Sequence, residues 1–365
     1  MRADTGPGRR RRGRGHPWLV ALLALALAGC RGGETPVYTT QFVVFDSAVD
    51  LSIVGMPRDQ AVDAAREAED DFVFLDHAWH AWEPGPMVRV NELLAQGEPF
   101  AAPPSLLPLI RQSRVLALQS DNLFNPAMGR LLGLWGFHTD DPECRPPPSR
   151  AAIERLVKAN PTMADVYLDG ILLQSDNPAV QLDFDGIATG AAMEVVMDAL
   201  KARGIRNAMI NAGGNLRVIG NRAGRPWRAP VRRAGGTAVL GILDISGDAS
   251  LFTQGDHGRN FIYDGTLYHN IIDPRTGWPA SGFKTVTVLY RGDAAVAEAA
   301  ATALMVAGPE RWQEIARRMG VRDVLAVDDA GTLHMSPSMQ QKLQLLDKQP
   351  DIQVSAPLAE EPDGR

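Results

Sequence analysis

The spacing of hydrophobic and polar residues along the chain predicts a domain that contains both helices and strands. Apolar residues recur at steps of three and four between Asp59 and His77, which predicts an amphipathic helix. Apolar and polar residues alternate from Lys284 to Tyr290, which predicts a strand. The same patterns predict further strands within Gln41–Val54, Val166–Leu173, Ala208–Asn211, Trp227–Val231, Val239–Ile245, Leu251–Thr253 and Val324–Val327. They predict further helices at Arg89–Ala95, Ser105–Ser120, Ala151–Ala159, Ala191–Arg203, Ala294–Val306, Glu310–Met319 and His334–Leu346.

Three polar segments follow predicted strands and are candidates for ligand-binding loops. The longest, Tyr268–Gly277, follows a hairpin whose turn is Asp264–Gly265, a pair typical of tight turns. The other two are Asp183–Gly190 and Asn211–Asn215. Polar residues this dense at the end of a strand are typical of binding loops, although solvated turns are the alternative.

The N-terminal segment has the features of an export signal. Arginines at positions 9–12 and 14 precede an apolar run from Trp18 to Ala28, which has the length of a signal-peptide core. This run is short for a permanent membrane-spanning helix. The run ends in Leu27-Ala28-Gly29-Cys30, which resembles a bacterial lipobox, although a chance cysteine after a signal peptide is the alternative. We therefore predict a signal peptide at 1–29, lipidation of Cys30, a tether at 30–38, and a periplasm-facing lipoprotein on the inner or outer membrane.

The charge of the chain argues against nucleic-acid binding. Of its 37 basic and 43 acidic side chains, six arginines and one aspartate lie in the first 30 residues. The remaining residues therefore carry 31 basic and 42 acidic side chains, a net charge of −11. An acidic protein is a poor partner for nucleic acid, so a phosphate ligand would be held by local groups or a metal. The second cysteine, Cys144, has no disulfide partner if Cys30 is lipidated.

Six blocks, in this order, resemble the ApbE family of FAD:protein FMN transferases. The family pattern Asp-Leu-Gly-Gly-Ile-Ala-Lys-Gly is similar to residues Asp183–Gly190, and His-Ile-Ile-Asp-Pro-Arg-Thr-Gly is similar to Asn270–Gly277. The remaining blocks are Phe124–Phe137, Asn211–Gly214, Thr253–Arg259 and Ala297–Ala303. The resemblance as a whole covers roughly residues 40 to 330.

The resemblance implies both a fold and an activity. The expected fold is a single large α+β, ApbE-like (T-fold-like) domain at 39–346, with a mixed sheet and a flavin pocket between two lobes. Residues 347–365 are expected to form a disordered tail. The expected activity is Mg²⁺-dependent transfer of FMN from FAD to a Thr or Ser hydroxyl of a target flavoprotein, with release of AMP.

The resemblance also implies the residues of the site. Glu298 and Thr302 share one face of a predicted helix and, with Gly186, are the candidate Mg²⁺ ligands, although a solvated helix face is the alternative. The candidate FAD-binding residues are Trp82, Asn122, Leu123, Phe124, Asp183, Thr189 and Ile272. The candidate catalytic residues are Asn270, Asp273 and His269.

The chain departs from the family pattern at several of these positions. Phe45-Asp46-Ser47 stands for the family's Met-Gly-Thr, Thr189 for its Lys, Glu298 for its Asp and Asn270 for its His. The last departure matters most, because an amide orients a hydroxyl but does not accept a proton at neutral pH. His269 would point to the opposite face of a strand from Asn270. The alternative function is therefore an FAD-binding lipoprotein or FAD pyrophosphatase with weak or no transfer.

A haem or metal carrier is a further alternative from a different class of protein. It would use His77, His80, His257 and His269. The spacing of these histidines matches no ligand pattern, so the sequence gives this alternative little support.

Overall fold

A computed structural model describes residues 35–45, 47–139, 141–236, 238–346 and 350–358. Residues from Pro36 onward belong to one compact unit. The predicted signal peptide and Cys30 lie outside the described residues. Among the described helices, none has the combination of length and apolar character needed to cross a bilayer.

The helices follow the predicted order closely. In chain order they are α1 (Arg58–Trp79), α2 (Pro86–Leu94), α3 (Leu107–Gln119), α4 (Gly129–Trp135), α5 (Arg150–Ala159), α6 (Ala188–Ala202), α7 (Ala294–Arg318) and α8 (Pro337–Lys342). Within α7 the backbone is kinked at Gly308, whose φ is 64°, and Pro309 follows. The kink separates the two helices that the sequence predicts at this place.

The strands are short and mostly joined by hairpins. They are β1 (Val37–Val44), β2 (Ser47–Val54), β3 (Phe100–Ala101), β4 (Val166–Asp169), β5 (Leu172–Ser175), β6 (Ala208–Ala212), β7 (Asn215–Ile219), β8 (Trp227–Arg232) and β9 (Val239–Ile245). They continue with β10 (Ala249–Gly255), β11 (Asn260–Tyr263), β12 (Thr266–His269), β13 (Phe283–Tyr290), β14 (Asp323–Asp328), β15 (Leu333–Met335), β16 (Leu343–Leu345) and β17 (Ile352–Val354).

A mixed central sheet organises the described residues. Its nine strands run in the order β1-β2-β6-β7-β10-β13-β14-β15-β17. Neighbouring strands are antiparallel except β15 and β17, which are parallel. Smaller sheets are β16-β9-β8, β3-β5-β4 and the hairpin β11-β12. The expected α+β class with a mixed sheet is confirmed.

The two faces of the central sheet bury different apolar cores. On β14, Val324 and Ala326 belong to the core that contains the helices, whereas Leu325 and Val327 belong to the core around Trp227 of β8. Successive strand residues point to opposite faces, so helices cover one face and the small β8-β9-β16 sheet covers the other. A third apolar cluster joins α4, α5 and the β11-β12 hairpin.

The C-terminal end differs from its prediction. The segment predicted as one helix, His334–Leu346, contains the end of β15, the short helix α8 and the strand β16. The hydroxyl of Ser336 caps α8. β15 pairs with the preceding strand β14, and β16 pairs with β9, which lies far away in sequence. The predicted disordered tail is wrong for 350–358, because β17 pairs with β15 and Leu358 is buried. Tertiary pairing, which a local pattern does not reveal, accounts for both differences.

Candidate functional site

An elongated cleft holds most of the candidate site residues. It consists of two adjoining cavities of about 480 and 240 Å³, called here the aromatic cavity and the polar cavity. Both cavities are lined by Asp183, Asp185, Thr189, Gly258 and Arg259. Because the two cavities share these walls, one extended ligand is able to occupy both.

The aromatic cavity is built from the loop that follows α1. Trp79, His80 and Trp82 line it, and the ring of Trp82 stacks on His138 with centroids 5.4 Å apart. The guanidinium carbon of Arg259 lies 4.8 Å from the centroid of the Trp82 ring, within the range of a cation–π contact. Trp82 is therefore held by neighbours on a wall that suits a flat aromatic ligand.

The N-terminal departure from the family pattern also borders the aromatic cavity. Phe45 and Ser47 line it, and the backbone N–H of Phe45 donates to Asp76 Oδ2 at 3.1 Å. Phe45 has a φ of 48°, an uncommon value for a non-glycine residue. The Asp76 contact stabilises this turn at the cavity wall.

Asp183 is a buried carboxylate whose partners within the protein stabilise its charged form. Its Oδ2 lies 3.1 Å from His138 Nε2, and its Oδ1 accepts from the backbone N–H of Asp185 at 2.9 Å. Burial raises the pKa of Asp183, but the hydrogen bond and charge of His138 and the Asp185 N–H outweigh it and lower the pKa. Asp183 therefore anchors the 183–190 loop as a carboxylate.

Glu298 is a buried carboxylate in the opposite electrostatic state. It is 3% exposed, and its Oε2 accepts from the backbone N–H of Gly190 at 2.6 Å. Burial raises the pKa of Glu298 to about 8, the Gly190 hydrogen bond opposes the rise, and Asp185 adds to it. No cation of the described chain is among the groups that shift this pKa. A divalent cation would supply the missing positive charge.

The neighbours of Glu298 suit a hard cation that prefers oxygen. The hydroxyl of Thr302 donates a hydrogen bond to the Glu298 carbonyl oxygen at 3.2 Å, and a Cβ on Gly186 would lie 3.1 Å from that hydroxyl oxygen. A side chain at position 190 would collide with the start of α7, because a Cβ on Gly190 would lie 2.5 Å from the Ala294 carbonyl oxygen. The described residues contain no cluster of three His, Cys, Asp or Glu side chains suited to a metal. A Mg²⁺ ion held here would therefore need ligand or water oxygens to complete its shell.

The remaining predicted FAD-binding residues lie mainly in the polar cavity. Leu123, Phe124 and Ile272 line it, and Thr189 lines both cavities. Asn122 is not among the lining residues, and its backbone N–H donates to Ala117 O at 2.7 Å at the end of α3. The structure therefore brings together all the predicted FAD-binding and metal residues except Asn122.

Two of the three predicted catalytic residues lie outside the cleft lining. His269 is buried, with Nε2 3.0 Å from Ala280 O and Nδ1 accepting from the Ile271 N–H at 3.3 Å. Burial lowers the pKa of His269. Asp273 accepts three hydrogen bonds from the Arg275 guanidinium, at 2.7, 2.9 and 3.1 Å. These contacts stabilise the 269–280 loop and present neither group to the cleft, so the expected catalytic use of His269 and Asp273 has no geometric support.

Asn270, the third catalytic candidate, lines the polar cavity and contacts a residue that the sequence analysis did not single out. Its Nδ2 donates to Asp185 Oδ2 at 2.6 Å. Asp185 also forms an ion pair with Arg259. Asp185 occupies a position where the family pattern has glycine, and that acidic replacement was the sequence signal for its role. His138, 45 residues before its partner Asp183, carried no such signal.

Comparison with known proteins gives a consistent result. The model of the ApbE family matches residues 45–325. An FAD:protein FMN transferase of Rhodobacter capsulatus is 38% identical over 95% of this chain, and the chain spans 66% of the length of that relative. An FAD:protein FMN transferase of Vibrio cholerae is 29% identical over 88% of this chain and 98% of its own length.

Solved structures agree with the sequence matches. The ApbE protein of Thermotoga maritima superposes with a TM-score of 0.76 at 27% identity, covering 84% of this chain and 99% of its own. The flavin transferase ApbE of Vibrio cholerae gives a TM-score of 0.73 at 27% identity, covering 85% of this chain and all of its own. With a family model that spans most of the cleft-forming residues, the chain belongs to the ApbE family.

Proposed function

We propose that this protein transfers FMN from FAD to a Thr or Ser hydroxyl of an acceptor flavoprotein, with Mg²⁺ bound and AMP released. The observation that carries the proposal is the buried Glu298 carboxylate, which faces the same cleft as the aromatic wall of Trp82 and whose pKa no cation of the described residues lowers. The transferase names of the relatives support it.

The cleft has the size and lining that a dinucleotide requires. The two cavity volumes together fall within the ~300–1,000 Å³ typical of small-molecule sites. A flat ring of FAD would stack on Trp82 in the aromatic cavity. The diphosphate would then lie near Thr189 and Gly190, at the N-terminus of α6, where backbone N–H groups favour anions.

The metal and the reaction would meet in the polar cavity. Glu298, Thr302 and the backbone of Gly186 would hold Mg²⁺, which when bound neutralises phosphoryl oxygens and makes the diphosphate easier to attack. The acceptor hydroxyl oxygen forms a bond to the FMN phosphorus, and the phosphorus–oxygen bond to AMP breaks. The hydroxyl proton leaves to solvent or phosphate oxygen, because Asn270 accepts no proton. Asn270 instead orients the hydroxyl by a hydrogen bond.

A second candidate function follows from Asn270 and the placement of His269. Without a base at position 270, water and a protein hydroxyl compete on more equal terms for the same phosphorus. An FAD pyrophosphatase, or a protein that binds FAD with weak transfer, has the same cleft and the same metal site. The product, free FMN or protein-bound FMN, distinguishes the two.

The transfer assay is direct. The purified protein is incubated with FAD, MgCl₂ and an acceptor domain that carries a reactive Thr, and flavin fluorescence is recorded in a denaturing gel. The matched control is the same acceptor with that Thr changed to Ala. A fluorescent acceptor band that needs Mg²⁺ and the Thr is expected, and free FMN with a dark acceptor would favour the pyrophosphatase.

We also propose that the protein is a periplasm-facing lipoprotein anchored through Cys30. The supporting observation is the lipobox-like sequence at the end of the apolar N-terminal run. The Cys30→Ser variant should lose membrane association in cell fractionation, and an inhibitor of lipoprotein signal peptidase should block processing of the wild type. A Cys30→Ser variant that stays in the membrane fraction would end this part of the proposal.

A further inference from the structure

Asp185 lies at the boundary between the two cavities and joins two cleft side chains. One carboxylate oxygen pairs with the Arg259 guanidinium, and the other accepts from Asn270 Nδ2 at 2.6 Å. The backbone N–H of Asp185 is in turn held by the buried carboxylate of Asp183 at 2.9 Å. The Asp185 carboxylate is therefore fixed at both its backbone and its side chain.

This contact determines which way the Asn270 amide faces. An ionised carboxylate accepts hydrogen bonds and donates none, so Asn270 must turn its NH₂ group toward Asp185. The carbonyl oxygen of the same amide then points in the other direction. It lies beside Gly258, since a Cβ on Gly258 would be 3.8 Å from Asn270 Oδ1. Gly258 lines both cavities, which places this oxygen at the cleft wall.

The backbone of Asn270 is also fixed relative to the same residues. Its N–H donates to the Arg259 carbonyl oxygen at 3.0 Å, and the Arg259 side chain returns to Asp185. Arg259, Asp185 and Asn270 thus form a closed set of contacts around the passage between the cavities. Within this set, only one orientation of the Asn270 amide places its NH₂ group against the Asp185 carboxylate.

Two departures from the family pattern meet in this contact. Asp185 stands where the family pattern has Gly, and Asn270 stands where it has His. A glycine has no side chain with which to direct an amide. The two replacements therefore form one unit, in which the acidic residue gives the amide a defined hydrogen-bonding direction.

We propose that Asp185 is a positioning residue for flavin transfer, which fixes the Asn270 amide so that its carbonyl oxygen accepts a hydrogen bond from the incoming acceptor hydroxyl. The inference rests on the proposed function, since the hydroxyl is that of the acceptor Thr or Ser. Asp185 acts through Asn270 and does not take part in bond formation. Loss of the fixed amide should lower the rate of transfer and leave FAD binding in place.

The test uses Asp185→Asn, because an amide at this position keeps the shape but presents either a donor or an acceptor to Asn270. We expect transfer kcat to fall about tenfold, as for one lost hydrogen bond, with the FAD Kd changed less than about threefold. Asp185→Glu, which keeps an acceptor-only group, should recover part of the rate. The matched control is Asp264→Asn, at the tip of the β11-β12 hairpin, where φ is 48° and Asn is well tolerated.

A double-variant cycle separates positioning from a general structural role. If Asp185 acts through Asn270, the Asp185→Asn change should cost little further rate in an Asn270→Ala background. An equal cost in both backgrounds would overturn the proposal. So would a wild-type rate in Asp185→Asn, or a loss of FAD affinity as large as the loss of rate.

Hydrolysis of FAD, measured on the same variants, keeps this inference distinct from the proposed function. A wild type that releases FMN and AMP but labels no acceptor would contradict the proposed transferase activity. The variant series would then show whether Asp185 and Asn270 position a water molecule in place of the acceptor hydroxyl. A wild type with neither reaction would overturn both proposals.

Discussion

The pKa values of the two buried carboxylates of the cleft, Asp183 and Glu298, are shifted in opposite directions. Both are almost fully enclosed, at 5% and 3% exposure. The pKa of Asp183 is lowered because His138 and a backbone N–H outweigh its burial. The pKa of Glu298 is raised to about 8 because burial, with the added charge of Asp185, outweighs the hydrogen bond from the Gly190 N–H. Burial alone therefore does not set the charge of a carboxylate; its partners do.

This difference assigns the two carboxylates different roles. Asp183 is satisfied inside the protein and stabilises the loop that carries Asp185 and Gly186. Glu298 lacks a compensating charge within the described chain, so an external cation is the natural partner. Substitutions should accordingly affect activity most at Glu298 and stability most at Asp183.

The largest expected effect is the loss of metal-dependent turnover in Glu298→Gln. The amide keeps the shape and can still accept from the Gly190 N–H, but it carries no charge for Mg²⁺. We expect turnover of FAD to fall on the order of 100-fold, with a comparable loss of Mg²⁺ affinity by calorimetry. Unfolding in the absence of metal should show no loss of stability. Wild-type turnover in this variant would remove Glu298 from the metal site.

The next effect concerns the partner of Asp183. In His138→Phe the ring that stacks on Trp82 is kept, but the buried carboxylate loses its hydrogen bond and charge. We expect the free energy of unfolding to fall by about 1–3 kcal/mol, the cost of a buried polar group left without its partner. Denaturant titration measures it. Unchanged stability would mean that the backbone N–H of Asp185 alone satisfies Asp183.

A smaller effect is expected at the aromatic wall. Trp82→Leu keeps an apolar surface but removes the flat ring, so the FAD Kd should rise by up to about tenfold, the value of one aromatic stacking contact. The kcat at saturating FAD should change little. Fluorescence titration with FAD separates the two quantities, and an unchanged Kd would place the ligand rings elsewhere.

The last effect is a pH dependence of the stability, which distinguishes Glu298 from Asp183. Burial raises the Glu298 pKa from 4.5 to about 8, so between these values the folded protein holds a proton that the unfolded chain has released. Without metal, this carboxyl makes stability fall as pH rises toward 8. The stability of the wild type relative to Glu298→Gln should therefore be lower at pH 8 than at pH 5, and Mg²⁺ should restore it most at pH 8. A constant difference across this range would contradict the raised pKa.

Much of this arrangement follows from local sequence pattern. The helical period places Glu298 and Thr302 on one face, and the strand period separates His269 from Asn270; the structure has both features. The pairing of Asp183 with His138 and of Asp185 with Arg259 joins segments far apart in the chain. Such contacts depend on how the loops fold together, which no local period encodes.

The same limit explains the strands that the pattern missed. The strand β7 follows directly on the Gly213-Gly214 turn, and its pairing with β6 and β10 makes it part of the central sheet. β17 pairs with β15 although α8 and β16 lie between them in the chain. Strands this short gain their stability from their neighbours in the sheet, so they are visible only in the folded chain.

The most direct test of the account is the balance between the two products of one reaction. Wild-type protein, FAD and MgCl₂ are incubated with the acceptor domain; the acceptor is then analysed by mass spectrometry, and AMP is quantified in the same sample. The account predicts one FMN on the acceptor Thr for each AMP released, and on the order of 100-fold less of both products with Glu298→Gln. AMP released in full while the acceptor gains no FMN would contradict it.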